Sequence, residues 1–399
     1  MRLKIAAITV FFIFLPLCFA PAGEYNHPVA RNVSSPALSD PSPLNYSVSP
    51  INISVGSIPS SLAVNTRNGD VYVLNTNSSN VSVISVNNVV INTIPVPKNP
   101  VRGSASQLIY DPFNSCVYVM NYNSPNLTVI NATTQSLSYI GGPHSMVSMA
   151  YDSGNNDIYV FDAYVAPSVE GISVISPSNR IMENLTVPSP GLFALQSSVY
   201  DPSDNSFFFL ANWEGWNVVA DFNLNSMNIS IVNDTKQYNN YLSIVFDPSN
   251  SCVYLASSDS NIMVINSSTN AVTHYSIAGL FPVIAYDSML HDIVAQVFSN
   301  KNTLMFYFLN AENNLTFTVY IDFSYFYFVF VYNHVDNSLY ASGAYNNQVT
   351  VFPLPPPGAG AGSNEGMFLV YGVISVAVAT ASILMWTRIR RSRKRGKLQ

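Results

Sequence analysis

The sequence predicts an all-β protein: a seven-bladed β-propeller closed by an N-terminal strand and followed by one C-terminal transmembrane helix. Three observations carry that expectation. One phrase recurs seven times, most cleanly as YDPFNSCVYVMN from Tyr110 and FDPSNSCVYLAS from Phe246. Short β-branched and aromatic runs alternate with Asn, Ser, Gly and Pro clusters throughout. A single uncharged stretch, Met367 to Thr387, lies close to the C-terminus.

Aligned on its acidic or amide position, the phrase falls at Asn65, Asp111, Asp152, Asp201, Asp247, Asp287 and Asn333, with spacings of 46, 41, 49, 46, 40 and 46. A period of roughly 40 to 50 residues built from strands and turns is the mark of propeller blades. In each copy one run enters the turn (LIYDP, IVFDP) and another leaves it (CVYVM, CVYLA), which makes a hairpin. A third run follows a polar loop (NVSVISV, NLTVIN, NIMVIN, QVTVF), and a weaker fourth follows that, such as VVINTI from Val89. Four short strands per unit make one blade. Asp at the first turn position accepts a hydrogen bond from the backbone two residues on, and Pro at the second presets φ. The repeated acid is therefore read as a turn-former. A metal ring would need these acids to converge, and equivalent positions of different blades are spread around a circle.

The seventh copy meets Pro355, Pro356 and Pro357 before a fourth strand fits, while an orphan run, INISV from Ile51, precedes the first copy. That run is expected to complete the last blade and close the ring. The aromatic stretch Phe317 to Tyr332 resembles a membrane helix in hydropathy. Asp322 interrupts it, and the repeat phase makes it the outer strand of blade six and the inner strand of blade seven.

The repeat resembles the YVTN-type propeller repeat of archaeal and bacterial surface proteins, through DVYVLN at Asp70 and NVSVIS at Asn80. The resemblance covers roughly residues 50 to 354 and weakens in the fourth and sixth copies. It implies a cell-surface or secreted propeller, in a group similar to propellers with lactonase or lyase activity. No catalytic motif carries over residue by residue.

Residues 1–22 read as a signal peptide: Arg2 and Lys4, an apolar run, then Ala20-Pro21-Ala22. A lipobox at Cys18 is the alternative. Residues 23–50 form a Pro-, Ser- and Asn-rich arm, 51–354 the propeller and 355–366 a Pro/Gly stalk. At about 1.5 Å per residue, 367–387 spans a bilayer core as a helix. The tail, 388–399, carries seven of the chain's 16 basic residues and is expected in the cytoplasm, which puts the propeller outside a cell membrane crossed once. Membrane lipid is thus a partner through both helix and tail.

With two further basic residues near the N-terminus, seven cations remain between 23 and 366 against 22 acids. That balance excludes nucleic acid as a partner. A surface solvated by amides and hydroxyls instead of charges also fits an acidic habitat. Of twelve sequons outside the membrane stretch, those within the propeller beyond its closing strand mark Asn77, Asn80, Asn126, Asn131, Asn184, Asn228, Asn233, Asn266 and Asn314 as glycosylation candidates. Cys116 and Cys252 share one phase in blades two and five and read as small buried strand residues, not a disulfide.

The five histidines show no metal-ligand spacing, and no nucleophile motif or phosphate-cradling loop is present, so no metal, cofactor or catalytic residue is assigned. Loops joining the second strand to the third, and one blade to the next, lie around the channel mouth. Read from the repeat phase they supply Arg102, His144, Tyr164, Glu170, Trp213, Glu214, Trp216 and Tyr345 as ligand-binding candidates. Trp213 and Trp216 bury large area with few rotamers to freeze, as recognition surfaces require, or pack between blades. The insertion Phe161 to Gly171 either shapes the rim of a groove or is a surface excursion.

Two functions follow. One is a non-enzymatic surface protein for recognition, adhesion or envelope scaffolding, with an extracellular protein or glycan as ligand. The alternative is an extracellular lactonase-like hydrolase or lyase with acids and a histidine clustered at the channel mouth.

Overall fold

A computed structural model describes residues 45–46 and 49–354, apart from segments at 98–105, 122–123, 125, 143–145, 167–168, 189–191, 194–196, 214–215, 233–240, 258–259, 278–279, 288–290, 299–302, 310–314, 323–328 and 344–345. The expected signal peptide, stalk, membrane span and basic tail lie outside these residues. Among the described residues no helix is long and apolar enough to cross a membrane.

Seven antiparallel sheets stand around one axis. Blade one runs outward as Pro59–Val64, Val71–Asn75, Asn80–Ile84 and Val90–Pro95. The other inner strands are Ser106–Asp111, Met146–Asp152, Ser198–Asp201, Tyr241–Asp247, Leu280–Asp287 and Val329–Asn333. Each inner strand touches the next, and the seventh returns to the first. The outer strand of the seventh sheet is Ile51–Ser54, paired antiparallel with Gln348–Pro353 through Ile51↔Val351 and Asn52↔Thr350. The Thr350 hydroxyl donates to Asn52 Oδ1 at 2.7 Å. The short strand Asn45–Tyr46 adds to the outside of blade six, parallel to Leu315–Asp322. Both halves of the aromatic stretch are strands, Leu315–Asp322 and Val329–Asn333.

All seven repeated acid or amide positions are buried. Six accept from the backbone N–H two residues on: Asn65 from Arg67, Asp111 from Phe113, Asp152 from Gly154, Asp201 from Ser203, Asp247 from Ser249 and Asn333 from Val335. Four residues past the acid the chain turns left-handed in every copy, at Gly69, Ser115, Asn156, Asn205, Ser251, His291 and Asn337. Asn tolerates that conformation through local hydrogen bonding, and Gly has no Cβ to clash. At Gly69 crowding adds to the demand, because a Cβ there would meet Val86 Cγ1 at 2.5 Å and Val335 Cβ at 2.8 Å.

The apolar core is divided into seven clusters, one between each pair of neighbouring blades. Tyr72, Tyr118, Tyr254 and Tyr340 occupy one phase of the second strand and are fully buried. Three reach the next blade: Tyr72 donates to the Ala132 carbonyl, Tyr118 to Asn179 Oδ1 and Tyr340 to Asn88 Oδ1. Aromatic pairs fill the interface of blades three and four, where Phe161 meets Phe207 edge-on at 5.4 Å. Cys116 is buried and Cys252 half-buried, both free, so the expectation that both are buried holds only for Cys116.

Burial pushes several carboxyls above their ordinary range: Asp70, Asp111, Asp157, Asp336 and, furthest, Asp221. Desolvation lifts Asp221 to about 6, helped by the Asp204 and Asp201 carboxylates and partly offset by a hydrogen bond from Ser206. Tyr151 of blade three stands beside Asp111 of blade two, while its hydroxyl donates to Asn156 Oδ1 at 2.7 Å. Asp111 Oδ2 is buried and accepts no bond, so protonation relieves it of an unsolvated charge.

Three outcomes follow from this packing. Deleting residues 48–56 opens the seventh sheet and is expected to lower the melting temperature by on the order of 10 °C; an unchanged melting curve would rule out the closure. Gly69→Ala is expected to cost about 2 kcal/mol in denaturant melts, and a neutral effect would contradict the crowded left-handed turn. A carboxyl with a raised folded pKa contributes stability that is fully present below about 4 and lost as pH rises through about 6. The wild type should therefore gain on the order of 1 kcal/mol between pH 7 and pH 4 that Asp221→Asn does not gain, as read from melts at both pH values.

Candidate functional site

The inner strands enclose a channel of about 580 Å³. Its lining alternates aliphatic side chains such as Val147, Ile284 and Val329 with Ser60, Ser197 and Ser243. Among the described residues no carboxylate, histidine or cation lines it. Several polar groups of the inner strands are already engaged between blades. Ser61 Oγ accepts from Leu108 N at 2.9 Å, and Ser243 Oγ from Ile284 N at 3.0 Å. Gln107 clasps blade three twice, accepting from Met149 N and donating to the Met149 carbonyl. The Ser148 and Ser198 hydroxyls bond across blades three and four at 2.8 Å. The described channel wall is thus neutral, and Ser61, Gln107 and Ser243 spend hydrogen bonds on joining its blades.

The two ends of the channel differ. One carries the turns within hairpins, between first and second strands and between third and fourth. The chain leaves the propeller there: Leu354 N donates to the Asn337 carbonyl at 2.9 Å, and Asn337 Nδ2 donates back to the Leu354 carbonyl. This is the exit face. The opposite, loop face carries the connections from second to third strand and from blade to blade.

Of the candidates on the loop face, Arg102, His144, Glu214 and Tyr345 lie outside the described residues. Trp213 and Trp216 end the long strands Ser206–Trp213 and Trp216–Asn223 and face each other in register. Leu192, in the two-residue strand Leu192–Phe193, pairs with Trp213 from the other side. Leu192, Trp213 and Trp216 therefore stand at matching register positions on three adjacent strands at the tip of blade four. Sequence reasoning treats the Trp segment as an exposed loop; strand pairing instead carries both tryptophans into the sheet, because Phe, Leu, Val and Trp extend the β-run to the turn.

The insertion of blade three behaves likewise. Tyr164 lies in Asp157–Ala166 and Glu170 in Val169–Ile175, two strands paired through Asp162↔Gly171 and Ala166↔Val169 with a register shift between. Glu170 pairs with Val187 of the outer strand, so its backbone lies on the third strand of the blade, away from the inner ring. The segment is an extended hairpin instead of a loop. Its β-branched and aromatic residues favour continued pairing, and the register shift absorbs the irregular residues Asp162 to Ala166.

Among the described residues no three His, Cys, Asp or Glu side chains come together to hold a metal ion. Sequon residues divide by exposure. Asn77, Asn126, Asn184 and Asn228 are exposed, Asn80, Asn131 and Asn266 are half-buried, and Asn233 and Asn314 lie outside the described residues. Asn131 Oδ1 and Asn266 Oδ1 each accept turn N–H groups, and Asn80 Oδ1 accepts from Asn75 Nδ2.

The architecture defines a seven-bladed β-propeller. A chain in the crystal structure of the mitotic checkpoint complex is similar over 82% of this chain and 99% of its own, with TM-score 0.61 and 12% identity. A chain of hydrazine synthase from Kuenenia stuttgartiensis is similar over 76% of this chain and 97% of its own, with TM-score 0.58 and 12% identity. At that identity the likeness is one of fold. No family model matches the sequence, and no curated protein matches it.

Proposed function

We propose that this chain is a membrane-anchored, extracellular propeller of YVTN-like repeats that serves in recognition, adhesion or envelope scaffolding and does no chemistry of its own. In this reading residues 1–22 direct export, 367–387 anchor the chain, 388–399 remain in the cytoplasm, and exposed sequons such as Asn184 and Asn228 carry glycans. The observation that carries the reading is the opposition of the two faces. The last described residue, Leu354, bonds to Asn337 on one face, while Trp213 and Trp216 are paired in register at the opposite end of blade four. The ligand is an extracellular protein or glycan, for which flat aromatic groups on a rigid hairpin lower the entropic cost of binding.

The test uses cells displaying the full chain, probed with glycan arrays and with partner cells. Replacing Trp213 and Trp216 by Ala is expected to weaken binding roughly tenfold or more while leaving the display level unchanged. Wild-type binding that survives both substitutions would remove the tryptophans from the site. Turnover of a lactone by the displayed protein would overturn the non-enzymatic reading.

A further inference from the structure

Large apolar side chains exposed on this propeller are not scattered. Among the described residues they are Ile51, Val89, Ile91, Phe113, Tyr139, Ile181, Met182 and Val335. All but Tyr139 belong to the exit face or to strand ends next to it, and those seven fall in four consecutive blades: seven, one, two and three. Val89 stands at the third-to-fourth-strand turn of blade one, Met182 near the start of the fourth strand of blade three, Ile181–Pro188, and Phe113 and Val335 at first-to-second-strand turns. Phe113 and Met182 are each 60% exposed, Val89 56% and Val335 45%.

The other described turns of this face carry no exposed large apolar side chain, and Leu224 and Met227 in blade four are half-buried against the core. Blades four and five present Ser203, Asn225, Ser249 and Thr269 there, so the apolar sector has a boundary. Within it lie Arg67 and Arg180, the only cations among the described residues, both exposed. Arg67 Nη2 donates to the Phe113 carbonyl at 3.3 Å, which fixes a cation beside the most prominent ring. Of the nearby acids, Asp70 accepts from Asn68 and Asp336 from Tyr340, while Glu183 is exposed.

Position identifies what covers this sector. The last described residue, Leu354, lies in blade seven at the edge of the sector and bonds to Asn337 of the turn that carries Val335. Roughly a dozen residues then separate it from the uncharged run at Met367. Even fully extended, at 3.3–3.6 Å per residue, they reach no more than about 40 Å. The N-terminal arm meets the body at blade six, through Asn45–Tyr46, outside the sector. Apolar side chains rimmed by Arg, on the face from which a short tether leads to a membrane span, match the headgroup boundary of a bilayer. Aromatic and basic groups are favoured there.

We propose that the exit face of blades seven, one, two and three docks on the outer surface of the membrane, with Phe113, Val335, Val89 and Met182 entering the headgroup boundary. Arg67 and Arg180 then lie at the level of the lipid phosphates. This rests on the anchored reading above. Docking gives the propeller a fixed orientation, with the Trp213–Trp216 hairpin directed outward, where a tether alone would leave the disc free to tumble.

The full chain is reconstituted in phosphatidylcholine–phosphatidylglycerol vesicles with and without brominated acyl chains. An environment-sensitive fluorophore is attached, in a Cys252→Ser background, at Phe113→Cys, Val335→Cys or, on the loop face, Asn126→Cys. Bromolipid is expected to quench the first two roughly twofold or more and to leave the third unchanged. Adding Val89→Ser and Met182→Ser is expected to reduce the quenching at Phe113→Cys. Absence of quenching at both exit-face positions, or equal quenching at all three, overturns the proposal. Labels shielded from aqueous iodide yet unquenched by bromolipid would also overturn it, in favour of a second copy covering the face. An alkaline wash of the same vesicles reads the anchor separately. Retention without quenching rejects docking and keeps the span, whereas release from vesicles that had shown quenching rejects the span and keeps the surface.

Discussion

A four-stranded blade has two faces and cannot cover either by itself. Every apolar cluster in this protein is therefore shared between neighbours, with Val, Leu and Phe of one sheet packed on Tyr, Phe and Met of the next. A linear stack of such units would leave two faces bare. A ring leaves none, which is why the inner strand of blade seven must meet that of blade one and why the Ile53, Val73, Tyr340 and Val351 cluster there is as dry as the others. The remaining architecture follows from this requirement.

Polar groups are placed to serve the same joints. Ser61, Gln107, Ser148 and Ser243 reach sideways from the inner strands to the next blade, and Tyr72, Tyr118 and Tyr340 do so from the second strands. Most of these bonds join hydroxyls, amides and backbone groups, which do not titrate in acid. The buried carboxyls whose pKa is displaced are displaced upward by desolvation, so acid neutralises charges that the fold holds at a cost. The joints between blades are thus largely independent of carboxylate ionisation.

The same frame separates two surfaces with different chemistry. Hairpin turns, tied down by Asp and left-handed Asn or Ser, make the exit face short and regular. Connections between blades make the other face longer and more variable, and there strand pairing brings Leu192, Trp213 and Trp216 into one row. In the reading proposed above, a tether on the first surface and the paired tryptophan positions on the second would make the propeller a spacer between a membrane and a recognition surface.

Much of this was legible without coordinates, for a physical reason. Blade number, hairpin turns and the strands Leu315–Asp322 and Val329–Asn333 depend on local propensity and on repetition, and both are written along the chain. The αL position was legible only in part, since Gly69, Asn156, Asn205 and Asn337 advertise it by residue type while Ser115 and Ser251 do not. Length of pairing was not legible. Whether Asp157–Ala166 and Ser206–Trp213 end in loops or continue as strands depends on partners across a turn and on register, which alternation alone does not set. Nor was the neutral channel, because the use of Gln107 and Ser243 is decided by groups in the next blade, some 40 residues away. The sequence by itself determined the repeating unit and its count. Tertiary structure decided which side chains are spent on neighbours and which face carries exposed apolar groups, since only ring closure brings residues of different blades into contact.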